Sequence, residues 1–350
     1  MSHSLPSQEK IKEVQQLILR AVETLDKILL GQHSLHELVI IGILSRGHIL
    51  LEGLPGVGKT ALVKALGSIL NLGFSRVQFT PDLLPGDITG GAILQTLPDG
   101  TRKLEFQPGP VFTNILLADE INRASPKTQS AMLEAMQERQ VTYGGETRAL
   151  PEPFFVLASQ NPIELEGTYP VPEAQLDRFM FKLNVTNVDV NCLTEIIASR
   201  RRGEAEKQSF SLSKSDLERC FELMEEIHLS RPVASYIARL VGAAHPGNSY
   251  EVKEVSRFVT YGPSPRAAIA MAESARAAAL LNGRNAVSFE DVKMVAPAVL
   301  NHRIILNYNA KLEKKSAAEL VGEILKRVHC ADPGLPADMA FDSVKSSMKK

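Results

Sequence analysis

The stretch Gly53-Leu54-Pro55-Gly56-Val57-Gly58-Lys59-Thr60 limits what this chain can fold into more than any other. It reads G-x-x-x-x-G-K-T, follows the apolar run His48-Ile49-Leu50-Leu51, and opens a helical pattern from Ala61 to Leu70. Strand, glycine loop and helix in that order make a phosphate-binding turn. The glycines let the backbone curl until several N–H groups and the helix N-terminus face one point. Lys59 adds a positive charge for the outer phosphate oxygens, and the Thr60 hydroxyl is placed to hold Mg²⁺. The same string also fits a Gly-Pro turn before an amphipathic helix, but the strand before it and the helix after it favour the phosphate loop.

A second landmark is Asn114-Ile115-Leu116-Leu117-Ala118-Asp119-Glu120. An apolar run without alternation suits a strand buried on both faces of a parallel sheet, and its C-terminal end lies where open α/β sheets bind ligands. Two adjacent carboxylates facing polyphosphate repel unless a cation sits between them. Asp119 is therefore assigned to the Mg²⁺ shell and Glu120 to orienting and polarising an attacking water. A further buried strand, Phe154 to Ser159, ends at Gln160-Asn161-Pro162. Asn161 either fixes that water or a terminal phosphate oxygen, or is a turn residue before proline.

Around these landmarks the chain alternates helices and strands. An amphipathic helix is expected at Ser7–Leu30, a second helical pattern at Leu35–Leu44, and a helix with an apolar face at Pro126–Arg139 with Ser125 as N-cap. Strands are expected at Arg76–Phe79 and Met180–Val185, with β-hairpins around Pro98-Asp99-Gly100-Thr101 and Gly144-Gly145. From about Ala198 the pattern turns helical and charged. Arg200 to Gly203 reads as a hinge, followed by helices at 214–227, 233–244, 265–281, 289–300 and 316–329. Arg178 follows Asp177, its default ion-pair partner. Arg266 sits in the first turn of its helix, where the dipole disfavours a cation, so an anion must compensate: a nucleotide phosphate or a nearby acid. The tail after Cys330 reads as mobile.

Length and composition set the limits. The chain's 350 residues suffice for about two domains, and 44% hydrophobic with 23% charged residues is ordinary for a soluble protein. A net charge of -1 gives no overall field for nucleic acid or anionic membrane. Cys192, Cys220 and Cys330 lack metal or disulfide spacing and read as reduced thiols of a cytoplasmic protein. The N-terminus has no signal-peptide pattern, and Leu38–Leu51 is too short and too polar to span a bilayer.

The phrases Leu51 to Thr60, Leu117 to Ala124, Ser159 to Glu164, Glu173 to Phe179 and Gly262 to Ala267, in that order, resemble AAA+ ATPases and, more narrowly, the MoxR family. The resemblance spans about Ile28 to Val328. It implies an α/β P-loop core with a central parallel sheet over residues 1–190, an all-helical lid over 198–330 and a tail at 331–350. By it, Gly53, Leu54, Pro55, Gly56, Val57, Gly58, Lys59 and Thr60 are the Walker A loop, Asp119 and Glu120 the Walker B pair and Asn161 sensor 1. Arg178 is the finger reaching a neighbouring subunit's ATP, Arg266 is sensor 2, and Gln32 lies near the adenine. Pro263 stands where many relatives have a small residue and leaves the Arg266 assignment intact. The two hairpins match inserts that approach a central pore in related ATPases.

The resemblance also implies ATP and Mg²⁺ as ligands and a homo-oligomeric ring, expected to be a hexamer. It further implies a chaperone role in remodelling or assembling protein complexes, often beside a partner with a von Willebrand factor A domain. Two rival functions share the core. A helicase- or clamp-loader-type DNA motor is disfavoured by the near-neutral charge and the lack of a separate basic domain. A nucleotide-gated adaptor with little hydrolysis is disfavoured by the presence of Glu120 and Asn161.

Overall fold

The computed structural model describes residues 6–96, 101–162, 167–200 and 208–330. Contacts divide the chain into two units, Met1–Glu226 with Leu280–Asn285, and Ile227–Ala279 with Ala286–Lys350.

The first unit begins with α1 (Gln8–Ile28), capped by the Ser7 hydroxyl, which accepts from Lys10 N. Its apolar stripe, Ile11, Val14, Ile18, Val22 and Leu25, is buried. Next comes α2 (His33–Leu44), apolar on nearly every side from Val39 onward and correspondingly buried. It feeds β1 (Ile49–Glu52), the phosphate loop and α3 (Lys59–Leu70). Then follow β2 (Phe74–Gln78), a single helical turn α4 (Pro85–Thr89), and the hairpin β3 (Gly90–Thr96) with β4 (Arg102–Pro108). The rest is β5 (Ile115–Asp119), α5 (Pro126–Glu138), the hairpin β6 (Gln140–Tyr143) with β7 (Glu146–Ala149), β8 (Phe155–Gln160), α6 (Glu173–Leu176), β9 (Phe181–Asn184), α7 (Val190–Ser199) and α8 (Lys214–Glu226).

Five strands form one sheet in the order β2-β5-β8-β1-β9, every pair parallel. From β1 the chain runs out to the edge at β2, returns through β5 and β8, and then crosses to β9 on the other side. The reversal lies at β1, so the phosphate loop leaves the sheet at its topological switch point. Residues 115–118 are fully buried, as an apolar strand covered on both faces must be.

Both expected hairpins form, although residues 97–100 of the first turn lie outside the described residues. The hairpins also touch: Phe106 and Tyr143 have ring centroids 5.6 Å apart, and the Arg148 guanidinium lies 4.1 Å over the Phe106 ring. Helix α7 was not expected. Its apolar positions Val190, Leu193 and Ile197 are exposed, and the signal for it is Asp189, whose carboxylate accepts from Cys192 N at 2.7 Å. Arg200, read as the start of a hinge, donates to the carbonyls of Lys27 and Ile28 at 2.6 and 2.7 Å and so finishes the C-terminus of α1. The rest of that expected hinge, and the tail beyond Cys330, lie outside the described residues. Helix α8, expected to belong to the lid, packs within the first unit: Arg219 pairs with Glu13 at 2.7 Å, and the Arg46 guanidinium stacks 4.8 Å from the Phe221 ring centroid.

The second unit holds α9 (Arg231–Ala243), α10 (Lys253–Phe258), a short antiparallel pair β10 (Val259–Tyr261) and β11 (Ile305–Leu306), most of α11 (Pro265–Leu281), α12 (Phe289–Leu300), α13 (Tyr308–Leu312) and α14 (Ala317–Arg327). Two of these helices open on capping boxes, Ser288 with Asp291 and Ser316 with Glu319. No helix among the described residues is long and apolar enough to cross a membrane.

His48 locks β1 to its neighbours. Its Nε2 donates to Met136 O at 3.1 Å and its Nδ1 accepts from Val156 N at 3.0 Å, a pattern only the neutral ring satisfies. Burial, with Arg139 contributing, lowers its pKa to about 4. The unfolded chain takes up this proton below its ordinary value of 6.5 while the folded chain does not. Stability from this site is therefore complete above that value and falls with pH, by about 2 kcal/mol between pH 7 and 4.5. Denaturant melts at the two pH values should show this loss in the wild type and not in His48→Gln. An equal loss in both would place the pH sensitivity elsewhere.

Candidate functional site

The phosphate loop has the backbone its glycines predict. Gly58 has φ +94°, a left-handed conformation that favours glycine, and it precedes α3 without any side-chain cap. The first N–H groups of α3 are thus left for a ligand rather than for a capping side chain. Gly53 is needed for space, since a Cβ there would lie 2.5 Å from Val185 O. Lys59 is buried, and its ammonium donates to Gly53 O. Burial lowers its pKa, opposed by the charges of Asp119, Glu120 and Glu52.

Parallel pairing of β5 with β8 and β2 brings the two carboxylates to the loop. Asp119 is only 7% exposed, and its two oxygens have different partners. Oδ1 accepts from the Ser159 hydroxyl at 2.5 Å. Oδ2 accepts from Arg76 Nε at 3.1 Å and Nη2 at 2.7 Å, and lies 3.5 Å from the Thr60 hydroxyl. Glu120 adopts φ +57°, sparsely populated for a residue with a side chain. Its N–H donates to the Ser159 hydroxyl at 2.9 Å, and its carboxylate accepts from Gln78 Nε2 at 2.8 Å and Arg123 Nη1 at 3.1 Å. The left-handed kink follows the last paired residue of β5, and the Glu120 carboxylate meets Gln78 and Arg123 while that of Asp119 meets Ser159 and Arg76. Two neighbouring carboxylates thus take separate partners.

Asn161 is buried just beyond β8, with its carbonyl accepting from Asn122 Nδ2 at 3.4 Å. Beside it, Glu52 at the end of β1 binds Gln160 at the end of β8 and Lys182 within β9, tying the three strands together next to the loop. Gln32 precedes α2, donates to Thr186 O at 3.1 Å, and lines a cavity of about 710 Å³ with Asp26, His33 and Asn184. His33 Nδ1 lies 2.6 Å from Asp26 Oδ2, a hydrogen bond that raises the histidine pKa.

Arg178 does not join this cluster through any hydrogen bond to it. Its Nη1 donates to Leu133 O on α5 at 2.9 Å, and it borders a separate cavity of about 380 Å³ with Ser130, Glu134 and Glu138. Arg266 belongs to the second unit, exposed in the first turn of α11, where its N–H donates to the Ser264 hydroxyl at 3.2 Å.

Sequence reasoning missed Arg76, Gln78, Ser159 and Arg123. Arg76 and Gln78 share one face of β2 by the two-residue period, which was available as a signal. Which partner strand they meet was not.

The residues present fit a magnesium-bound polyphosphate. A hydroxyl and a carboxylate oxygen are the hard donors Mg²⁺ takes alongside phosphate and water, and the uncapped helix start with Lys59 suits the anion. Comparison with known proteins agrees. Residues 48–181 match the family described as ATPase family associated with various cellular activities, and residues 253–324 match its lid domain. The chain is 43% identical to Chaperone MoxR1 of Mycobacterium tuberculosis over 88% of its own length and 81% of that protein. It is 40% identical to the Bacillus subtilis protein YeaC, covering 91% of this chain and 96% of the other. A crystal structure of an ATPase-like protein from Cytophaga hutchinsonii superposes with a TM-score of 0.84 at 41% identity, covering 93% of this chain and 98% of that one. Fold, loop geometry and relatives agree that this chain belongs to the MoxR family of AAA+ ATPases.

Proposed function

We propose that this chain binds ATP with Mg²⁺ and hydrolyses it at the interfaces of a homo-oligomeric ring, a hexamer, driving a cytoplasmic chaperone that remodels or assembles protein complexes. The observation that carries this reading is the meeting of Lys59, Thr60, Asp119 and Glu120 at the switch point of the sheet. Lys59 and the first N–H groups of α3 bind the outer phosphates. Thr60 and Asp119 hold the metal, which when bound neutralises phosphate charge. Glu120 orients the attacking water and takes up its proton, and Asn161 steadies that water or the γ-phosphate. The chaperone role follows the name of the Mycobacterium relative. The joined hairpins are assigned to the client, and a protein with a von Willebrand factor A domain is the expected partner.

Arg178 is assigned to the neighbouring subunit's ATP and Arg266 to the chain's own phosphates. An arginine supplied in trans makes turnover depend on assembly. Phosphate release per chain is therefore expected to rise with protein concentration through the range where the ring forms. A rate per chain independent of dilution, in a protein shown to be monomeric throughout, would remove the ring from the mechanism.

A further inference from the structure

Arg76 does a job that the reading above does not need. It sits on β2, opposite Leu117 of β5, while Gln78 lies opposite Asp119. Its side chain extends along the strand to put two N–H groups on one oxygen, Oδ2 of Asp119, and Nη2 also donates to the Gln78 side chain at 2.6 Å. Oδ2 is the oxygen that faces the Thr60 hydroxyl, whereas Oδ1 is taken by Ser159. The oxygen suited to complete a metal shell with Thr60 is therefore the one Arg76 covers.

A guanidinium keeps its charge at any relevant pH, so Arg76 cannot make room by losing a proton. It can only move. Its side chain is 46% exposed against 10% for Asp119, so the arginine has more room to swing into solvent than the carboxylate does. Two adjacent carboxylates also need a nearby cation to stay together, and Arg76 supplies one from within the chain.

Resting on the ATP–Mg²⁺ reading, we propose that Arg76 and the divalent cation are alternatives at Oδ2 of Asp119, so that the metal enters by displacing the guanidinium. Arg76 is then a positioning residue that sets how much Mg²⁺ the site requires. The effect is that of one half-exposed ion pair, about fivefold in metal affinity.

The test is binding of a fluorescent ATP analogue to the full chain while Mg²⁺ is titrated, for wild type, Arg76→Met and Arg76→Lys. Arg76→Met is expected to lower the Mg²⁺ midpoint about fivefold and to leave binding in EDTA within about twofold. Arg76→Lys keeps the charge without the fork and is expected to fall between. In melting experiments without nucleotide, Mg²⁺ alone should protect Arg76→Met more than wild type. Should the Met variant fail to fold, Arg76→Lys carries the test with a smaller shift of the same sign. An unchanged midpoint, or a loss of binding in EDTA, would overturn the proposal. If wild type binds the analogue at no Mg²⁺ concentration, the ATP reading itself falls; if it binds and the midpoints coincide, only the role of Arg76 does.

Discussion

Glu120→Gln is expected to bind ATP–Mg²⁺ within about twofold of wild type and to release phosphate about 10²- to 10³-fold more slowly. The substitution keeps the shape of the side chain and an oxygen for Gln78 Nε2, and the backbone bond to Ser159 does not involve the side chain. What disappears is the proposed base. The amide cannot accept the proton that the attacking water must lose, so binding and chemistry separate. Single-turnover phosphate release beside an equilibrium titration makes the distinction. Hydrolysis at the wild-type rate would leave the water to another residue, and equal loss of binding and turnover would mean that Glu120 holds the site together instead.

A larger effect on turnover is expected for Arg178→Ala, about 10³-fold at concentrations where the ring is assembled. Arg178 is held by α5 through Leu133 O, and its Nε is buried without a hydrogen-bond partner among the described residues. A side chain with part of its donor set unmet loses little when it exchanges that contact for a phosphate. An arginine that acts on the next subunit, as proposed, requires that mixing Arg178→Ala with Glu120→Gln chains restore measurable turnover. One mixed interface then joins an intact Glu120 to an intact Arg178. Activity is read as phosphate release and assembly by sedimentation. No recovery in rings shown to be mixed, or full activity of Arg178→Ala alone, would contradict an arginine supplied in trans.

Much of the core was legible because its signals are local. The uniform run Ile115 to Ala118 reads as a strand buried on both faces, and its end at Asp119 follows from where that run stops. Ser125, Ser288 and Ser316 mark helix starts through their own spacing to the residues they cap. What stayed hidden depends on pairing between distant segments. Arg76 and Gln78 meet Asp119 and Glu120 only because β2 lies beside β5 in one register. His48, at the head of an apolar run, becomes a link only once Met136 and Val156 arrive from elsewhere. Helix α7 leaves its apolar positions exposed, so its pattern carries no burial. The boundary near residue 198 followed composition, whereas α8 is placed by its contacts with Glu13 and Arg46.

Everything in this mechanism requires that the amides from Gly53 to Thr60, with Lys59, receive the phosphates of ATP. Calorimetric titration of ATP–Mg²⁺ into wild type and Lys59→Ala tests that directly. A saturable heat for wild type, weakened at least about 100-fold in Lys59→Ala, is the predicted result. No heat with wild type, or one affinity for both proteins, would contradict it.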